Sequence, residues 1–232
     1  FLDALLSFAG RTLPDARLRA YDANIRRHEA RIARQRADFR LTYFQWFAAL
    51  LVEMTLDAMK SGEAALLLAL DDKRKEHAPF LSPYQPGDLR KLACFMATGS
   101  GKTLLLHLNL LQFLDYRLFE PDNILLLTPN EALSAQHRAE LALSGLDSEG
   151  VRVIEITKLY VDGDGSRRPR KGVSLPTSQF EGPNLLLVDE GHKGGTSAAD
   201  TKGEREWRAI REALAAGNTP ENRGFVFEYS AT

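Results

Sequence analysis

The residues of this chain that could do chemistry fall into two short clusters. The first is Thr98-Gly99-Ser100-Gly101-Lys102-Thr103, preceded by Leu92-Ala93-Cys94-Phe95-Met96-Ala97 and followed by Leu104-Leu105-Leu106. A glycine turn between an apolar strand and a helix aims several backbone N–H groups at one point, beside the positive end of the helix dipole. Such a point suits a polyphosphate. Lys102 can reach the terminal phosphates, and the Thr103 hydroxyl can ligate a magnesium ion. Glycine turns between strand and helix are common in α/β chains, but that structural explanation leaves Gly-Lys-Thr at the helix start unaccounted for. The second cluster is Asp189-Glu190, preceded by Asn184-Leu185-Leu186-Leu187-Val188 and followed by Gly191-His192. Two carboxylates at the carboxyl end of a buried strand sit where open parallel sheets bind ligands. Their tasks would differ: Asp189 holds the magnesium, directly or through water, and Glu190 orients and deprotonates the attacking water. An isolated Asp-Glu is often only the start of a loop; the same pair after a phosphate loop is far more specific.

The elements that must position these clusters are legible from hydrophobic periodicity. Near-continuous aliphatic strands are expected at 92–96, 123–127, 151–156, 185–188 and 225–229, with helices at 104–116, 131–144 and 206–216 between them. That alternation predicts a parallel sheet covered by helices on both faces. In the last helix Trp207, Ile210 and Leu214 are expected to face inward. Cys94 is expected as a small buried residue of the first strand. The segments 162–171 and 191–203 are small and polar and read as exposed loops.

Residues 1–80 read as helical, and Pro79, Pro83 and Pro86 mark the expected boundary with a second domain at 81–232. Arg26, Arg27, Arg31, Arg34, Arg36 and Arg40 make one stretch locally basic. A solvated helix face and a phosphate-tracking surface both fit it. In the helix over 41–59, Phe44, Phe47, Leu51, Met54 and Ala58 recur at three- and four-residue spacing, widened by Tyr43 and Trp46, and predict a core-facing stripe. Ser61-Gly62 is expected to end that helix, a short helix follows at 63–70, and 71–77 reads as a charged break.

The formal net charge of -1 supplies no global attraction to nucleic acid, so any such contact needs a local patch. One cysteine excludes a disulfide framework and fits a reducing, cytoplasmic compartment. No apolar run approaches the roughly 20 residues of a membrane span. His28, His77, His107 and His137 show no metal-ligand spacing with a cysteine cluster, so no zinc site is expected. A chain that starts at Phe1 and stops after a strand-like segment reads as part of something longer.

The phosphate loop departs from the full G-x-x-x-x-G-K-[ST] pattern, because Met96 occupies the leading glycine position. That variant resembles the Ala-Thr-Gly-x-Gly-Lys-Thr loop of superfamily 2 helicases. Asp189-Glu190-Gly191-His192 resembles their second motif, Leu127-Thr128-Pro129 their motif Ia, and Tyr229-Ser230-Ala231-Thr232 their Ser-Ala-Thr motif. The resemblance covers about 85–232 and implies a RecA-like, P-loop NTPase lobe with an N-terminal α-helical appendage. It implies ATP with Mg²⁺ on Thr98 to Thr103, and Gln85 against the adenine ring. Thr128, Pro129 and Thr157 would lie against a nucleic-acid backbone, while His192, Ser230 and Thr232 would couple nucleotide state to that contact. The loop and the Asp-Glu-Gly-His box look more like the motor subunits of restriction and phage-defence systems than like RNA helicases. That likeness implies DNA rather than RNA, and a second helicase lobe and nuclease or other defence subunits as partners. Such motors take arginine fingers from a second lobe, so this lobe alone is expected to hydrolyse ATP poorly. The alternative is an ATP-binding scaffold or switch without motor activity.

Overall fold

Aliphatic runs without alternation, cut by short polar turns, organise the second half of the chain into strands whose central members are covered on both faces. A computed structural model describes residues 1–7, 13–36, 39–162, 173–191, 202–217 and 223–231. Along the chain run α1 (Leu2–Leu6), α2 (Asp15–Ala33), α3 (Tyr43–His77), β1 (Lys91–Phe95), α4 (Lys102–Tyr116), β2 (Asn123–Thr128) and α5 (Glu131–Leu143). There follow β3 (Val151–Glu155), β4 (Leu159–Tyr160), β5 (Leu175–Pro176), β6 (Asn184–Asp189), α6 (Lys202–Ala216) and β7 (Phe225–Ser230). Two compact units result. One comprises residues 1–89, 103–118 and 143–145, and the other residues 90–102, 119–142 and 146–232.

The second unit is the α/β lobe. Its five-stranded sheet has the order β1-β7-β6-β2-β3, and every pairing is parallel. The five expected strands are these five, shifted at most a residue or two at their ends. Leu125 to Leu127 and Leu185 to Val188 are all buried, so the central strands have two covered faces as their composition requires. On one face Leu125, Leu127, Leu186, Val188 and Val226 pack with Ile210, Leu214 and Trp207 of α6, the inward residues expected of that helix. The edge strand β1 differs from expectation. Paired only with β7, it is covered on one side, so Lys91, Ala93 and Phe95 are exposed and Cys94 is only half-buried. The short parallel pair β4–β5 had no signal in the sequence.

The first unit is helical. The buried stripe of α2 is Leu18, Tyr21, Asp22, Ile25, His28, Glu29 and Ile32, at three- and four-residue spacing. A capping box between Thr42 and Gln45 opens α3. Helix α3 continues to His77, so residues 71–77 are helical rather than a break, although Gly62 at φ 155°, ψ 104° interrupts it where the sequence placed an end. The predicted core stripe of α3 is corrected by the structure. Tyr43, Phe44, Phe47 and Leu51 are exposed and Met54 and Ala58 half-buried; Trp46 is buried as expected, but on a face it shares with Gln45, Ala49, Leu50, Val52, Glu53, Leu56 and Met59.

Two polar residues hid that face from a hydrophobicity pattern. Glu53 is wholly buried and accepts hydrogen bonds from Asn24 Nδ2, Gln112 Nε2 at 2.8 Å and Tyr116 Oη at 2.7 Å. Burial nevertheless holds its carboxyl above the usual range. Trp46 Nε1 donates to Asp22 Oδ1 at 2.7 Å on the same face. The basic stretch of α2 is partly spent internally, since Arg26 pairs with Asp22 and Arg27 with Asp115. Among the described residues no helix is long and apolar enough to cross a membrane.

Candidate nucleotide site

Parallel pairing sets the geometry of the site before any side chain is considered. Phe95 is in register with Ser230 across β1 and β7, and Tyr229 with Asp189 across β7 and β6. The carboxyl ends of three neighbouring strands therefore carry the phosphate-loop sequence, the Ser230 turn and the Asp189-Glu190 pair. At a strand spacing of about 4.8 Å, the outer two are roughly 10 Å apart. The backbone locks the arrangement: Met96 N–H donates to the Ser230 carbonyl at 3.0 Å, and Gly191 N–H to the Tyr229 carbonyl at 2.9 Å.

The loop after β1 turns on two glycines in left-handed conformations, Gly99 at φ 78° and Gly101 at φ 84°. Side chains rarely tolerate that region, and a left-handed residue next to an ordinary one turns successive N–H groups into a concavity that favours anions. A Cβ at Gly99 would meet nothing within 4 Å, so the loop stands open on that side. Lys102 opens α4 and folds its ammonium back onto the Met96 carbonyl at 3.3 Å and the Ala97 carbonyl at 3.5 Å. These are long contacts to neutral acceptors, which a phosphate would outbid. Thr103 is the next residue of α4 and is half-buried.

Asp189 ends β6 and is held from two sides. Its Oδ1 accepts the Glu190 N–H at 3.0 Å, and its Oδ2 lies 3.0 Å from His137 Nε2. Glu190 adopts φ 58°, a left-handed conformation that is costly for a residue with a Cβ. Neighbouring contacts enforce it: besides the Gly191 N–H bond, Arg211 Nη1 donates to the Gly191 carbonyl at 2.8 Å and to Glu228 Oε1 of β7 at 3.0 Å. Glu228 also pairs with Lys91 of β1 at 2.9 Å. The carboxylate oxygens of Asp189 are donors of the kind a hard divalent cation prefers.

Thr128 and Pro129 line one small crevice with Asp189 and Glu190, closed by Trp207 and Arg211. The Thr128 side chain points inward there: it is 1% exposed, and its hydroxyl shares a hydrogen bond with Ser134 Oγ at 2.6 Å and donates to the Asn130 carbonyl at 3.3 Å. Thr157 is half-buried and bonds to Glu155. Ser230 is buried at the end of β7. Gln85 is exposed in the helical unit, with its N–H on Asp88 Oδ2 at 2.7 Å. His192 and Thr232 lie outside the described residues.

Two residues at the site escaped the sequence reading. The spacing of His137 from other residues says only that it is no zinc ligand. Its signal was its place with Ser134 and Leu141 on the buried face of α5, where a histidine needs a partner. Arg211 lies on a helix with many charges and carried no signal at all.

No curated protein matches the chain. The family profile described as DEAD/DEAH box helicase matches residues 81–232, which hold the whole sheet and both clusters. The chain therefore belongs to the DEAD/DEAH box helicases, a family that uses ATP with Mg²⁺ and acts on nucleic acid.

Proposed function

We propose that residues 81–232 form the first lobe of an ATP-driven motor that moves along DNA in a restriction or phage-defence system, with residues 1–80 as a helical accessory region. The observation that supports this most is the convergence of the phosphate loop, the Ser230 turn and Asp189-Glu190 at the ends of β1, β7 and β6. On this reading Thr98 to Thr103 cradle the phosphates, and Lys102 exchanges its two carbonyl acceptors for phosphate oxygens. Thr103 and Asp189 hold the Mg²⁺. Bound Mg²⁺ supplies charge neutralisation for the phosphates. Glu190 accepts the proton of the attacking water. Its enforced left-handed backbone fixes where that carboxylate begins, so orientation is set by the fold rather than by the substrate.

Gln85 is assigned the adenine ring by the family pattern. Thr128, Pro129 and Thr157 belong to the segments facing nucleic acid. The inward hydroxyl of Thr128 leaves backbone groups as the contacting atoms there. His192, Ser230 and Thr232 couple the two sites. The preference for DNA and the defence role rest on the Asp-Glu-Gly-His box and the form of the phosphate loop. The test is phosphate release by the full-length protein with no nucleic acid, with duplex DNA and with RNA. Lys102→Ala and Glu190→Gln should each remove the stimulated turnover. Turnover unchanged in both variants would sink the mechanism, and nucleotide binding without any stimulation would favour an ATP-binding scaffold.

A further inference from the structure

We infer that His137 is the positioning residue for the metal-binding carboxylate of Asp189, an inference that rests on the Mg²⁺ assignment above. Three observations carry it. The imidazole is 3% exposed, so it has been taken out of water and must find its partners in the protein. Its Nε2 lies 3.0 Å from Asp189 Oδ2, and an ionised carboxylate can only accept, so Nε2 carries the hydrogen. Its Nδ1 is buried with no hydrogen-bond partner among the described residues, so the Asp189 bond is the ring's one polar anchor there.

The consequence is a division of labour on one carboxylate. Oδ1 is tied to the adjacent Glu190 N–H, a bond that moves with the turn itself. Oδ2 is tied to α5, a separate element. Without His137 the Asp189 side chain could rotate about its χ angles with only the local bond to restrain it. With it, the orientation is set before any cation arrives. Partners of metal-ligating side chains typically contribute 10–100-fold to metal affinity. The same bond ties Asp189 to the helix that begins at the Thr128-Pro129-Asn130 turn, where Asn130 Oδ1 accepts the Leu133 N–H at 2.9 Å.

The test reads binding rather than turnover. Fluorescent mant-ATP is titrated into the full-length protein in EDTA and then across a MgCl₂ series, for wild type, His137→Ala, His137→Asn, His137→Gln and Asp189→Asn. His137→Ala is expected to leave nucleotide affinity in EDTA within about twofold, which also reports a folded lobe, while the Mg²⁺ midpoint rises roughly 10–100-fold. The glutamine amide reaches the position of Nε2 and should restore most of the midpoint. The asparagine amide is too short and should not. A wild-type Mg²⁺ midpoint in His137→Ala, or equal behaviour of the asparagine and glutamine variants, overturns the role of His137. If Asp189→Asn itself keeps the wild-type midpoint, the metal assignment fails first, and the inference falls with it.

Discussion

Arg211 is the residue whose removal would test most directly how the turn after β6 is held. It is 8% exposed and ties the turn after β6 to strand β7, through the Gly191 carbonyl at 2.8 Å and Glu228 Oε1 at 3.0 Å. Arg211→Met keeps much of the volume and the apolar stem but deletes both donated bonds. Removing one partner of a buried ion pair typically costs about 3–5 kcal/mol. Glu228 retains Lys91 at 2.9 Å, and Lys91 is half exposed, so the remaining charge is not abandoned. The loss therefore falls at or below the bottom of that range, roughly 2–3 kcal/mol with the orphaned Gly191 carbonyl included. For a chain of this size that is a fall of about 4–12 °C in Tm, readable by circular dichroism, and a matching shift in the urea midpoint. Glu228→Gln should cost less by itself, and the double variant should lose about 1–2 kcal/mol less than the sum of the singles. Because the turn also fixes the backbone of Glu190, ATP turnover should fall further than stability accounts for. A loss below about 0.5 kcal/mol, or strict additivity in the double variant, would refute the claim that this pair holds the turn.

Four further outcomes are expected. Glu53→Ala should destabilise the helical unit by about 3 kcal/mol, because Asn24, Gln112 and Tyr116 lose their common acceptor. Glu53→Gln tests the charge: burial raises the folded-state pKa, so the wild type gains stability below the unfolded value near 4.5 and loses it as pH rises through the raised value. Urea midpoints from pH 4 to 8 should therefore shift in favour of Glu53→Gln with increasing pH, and a constant difference would contradict the sign. Gly224→Ala would place a Cβ 2.3 Å from the Asn184 carbonyl, and should cost about 1–3 kcal/mol or more by forcing β6 and β7 apart at their start. Phe44→Ser and Leu51→Ser should each stay within about 0.5 kcal/mol of wild type by urea denaturation, since both side chains are already half exposed. Losses of several kcal/mol would restore the core stripe that periodicity predicted for α3.

Local sequence was enough wherever one residue type admits one structural use. The runs Leu185-Leu186-Leu187-Val188 and Asn123-Ile124-Leu125-Leu126-Leu127, short and bounded by turn residues, read as buried strands, and the spacing of Trp207, Ile210 and Leu214 puts them on one side of α6. The glycine pair at 99 and 101 announced a tight turn, and both residues do adopt left-handed conformations that other side chains rarely tolerate. The pairing order β1-β7-β6 was beyond local reading, because segments distant along the chain meet only through crossovers. So was the outer face of α3, since the buried face carries Gln45 and Glu53, whose partners come from elsewhere in the chain. The same holds at the site. Asp189 and Glu190 were legible as a carboxylate pair at a strand end, but the bonds that His137 of α5 makes to Asp189 and Arg211 of α6 makes to the Gly191 carbonyl are defined only by tertiary packing.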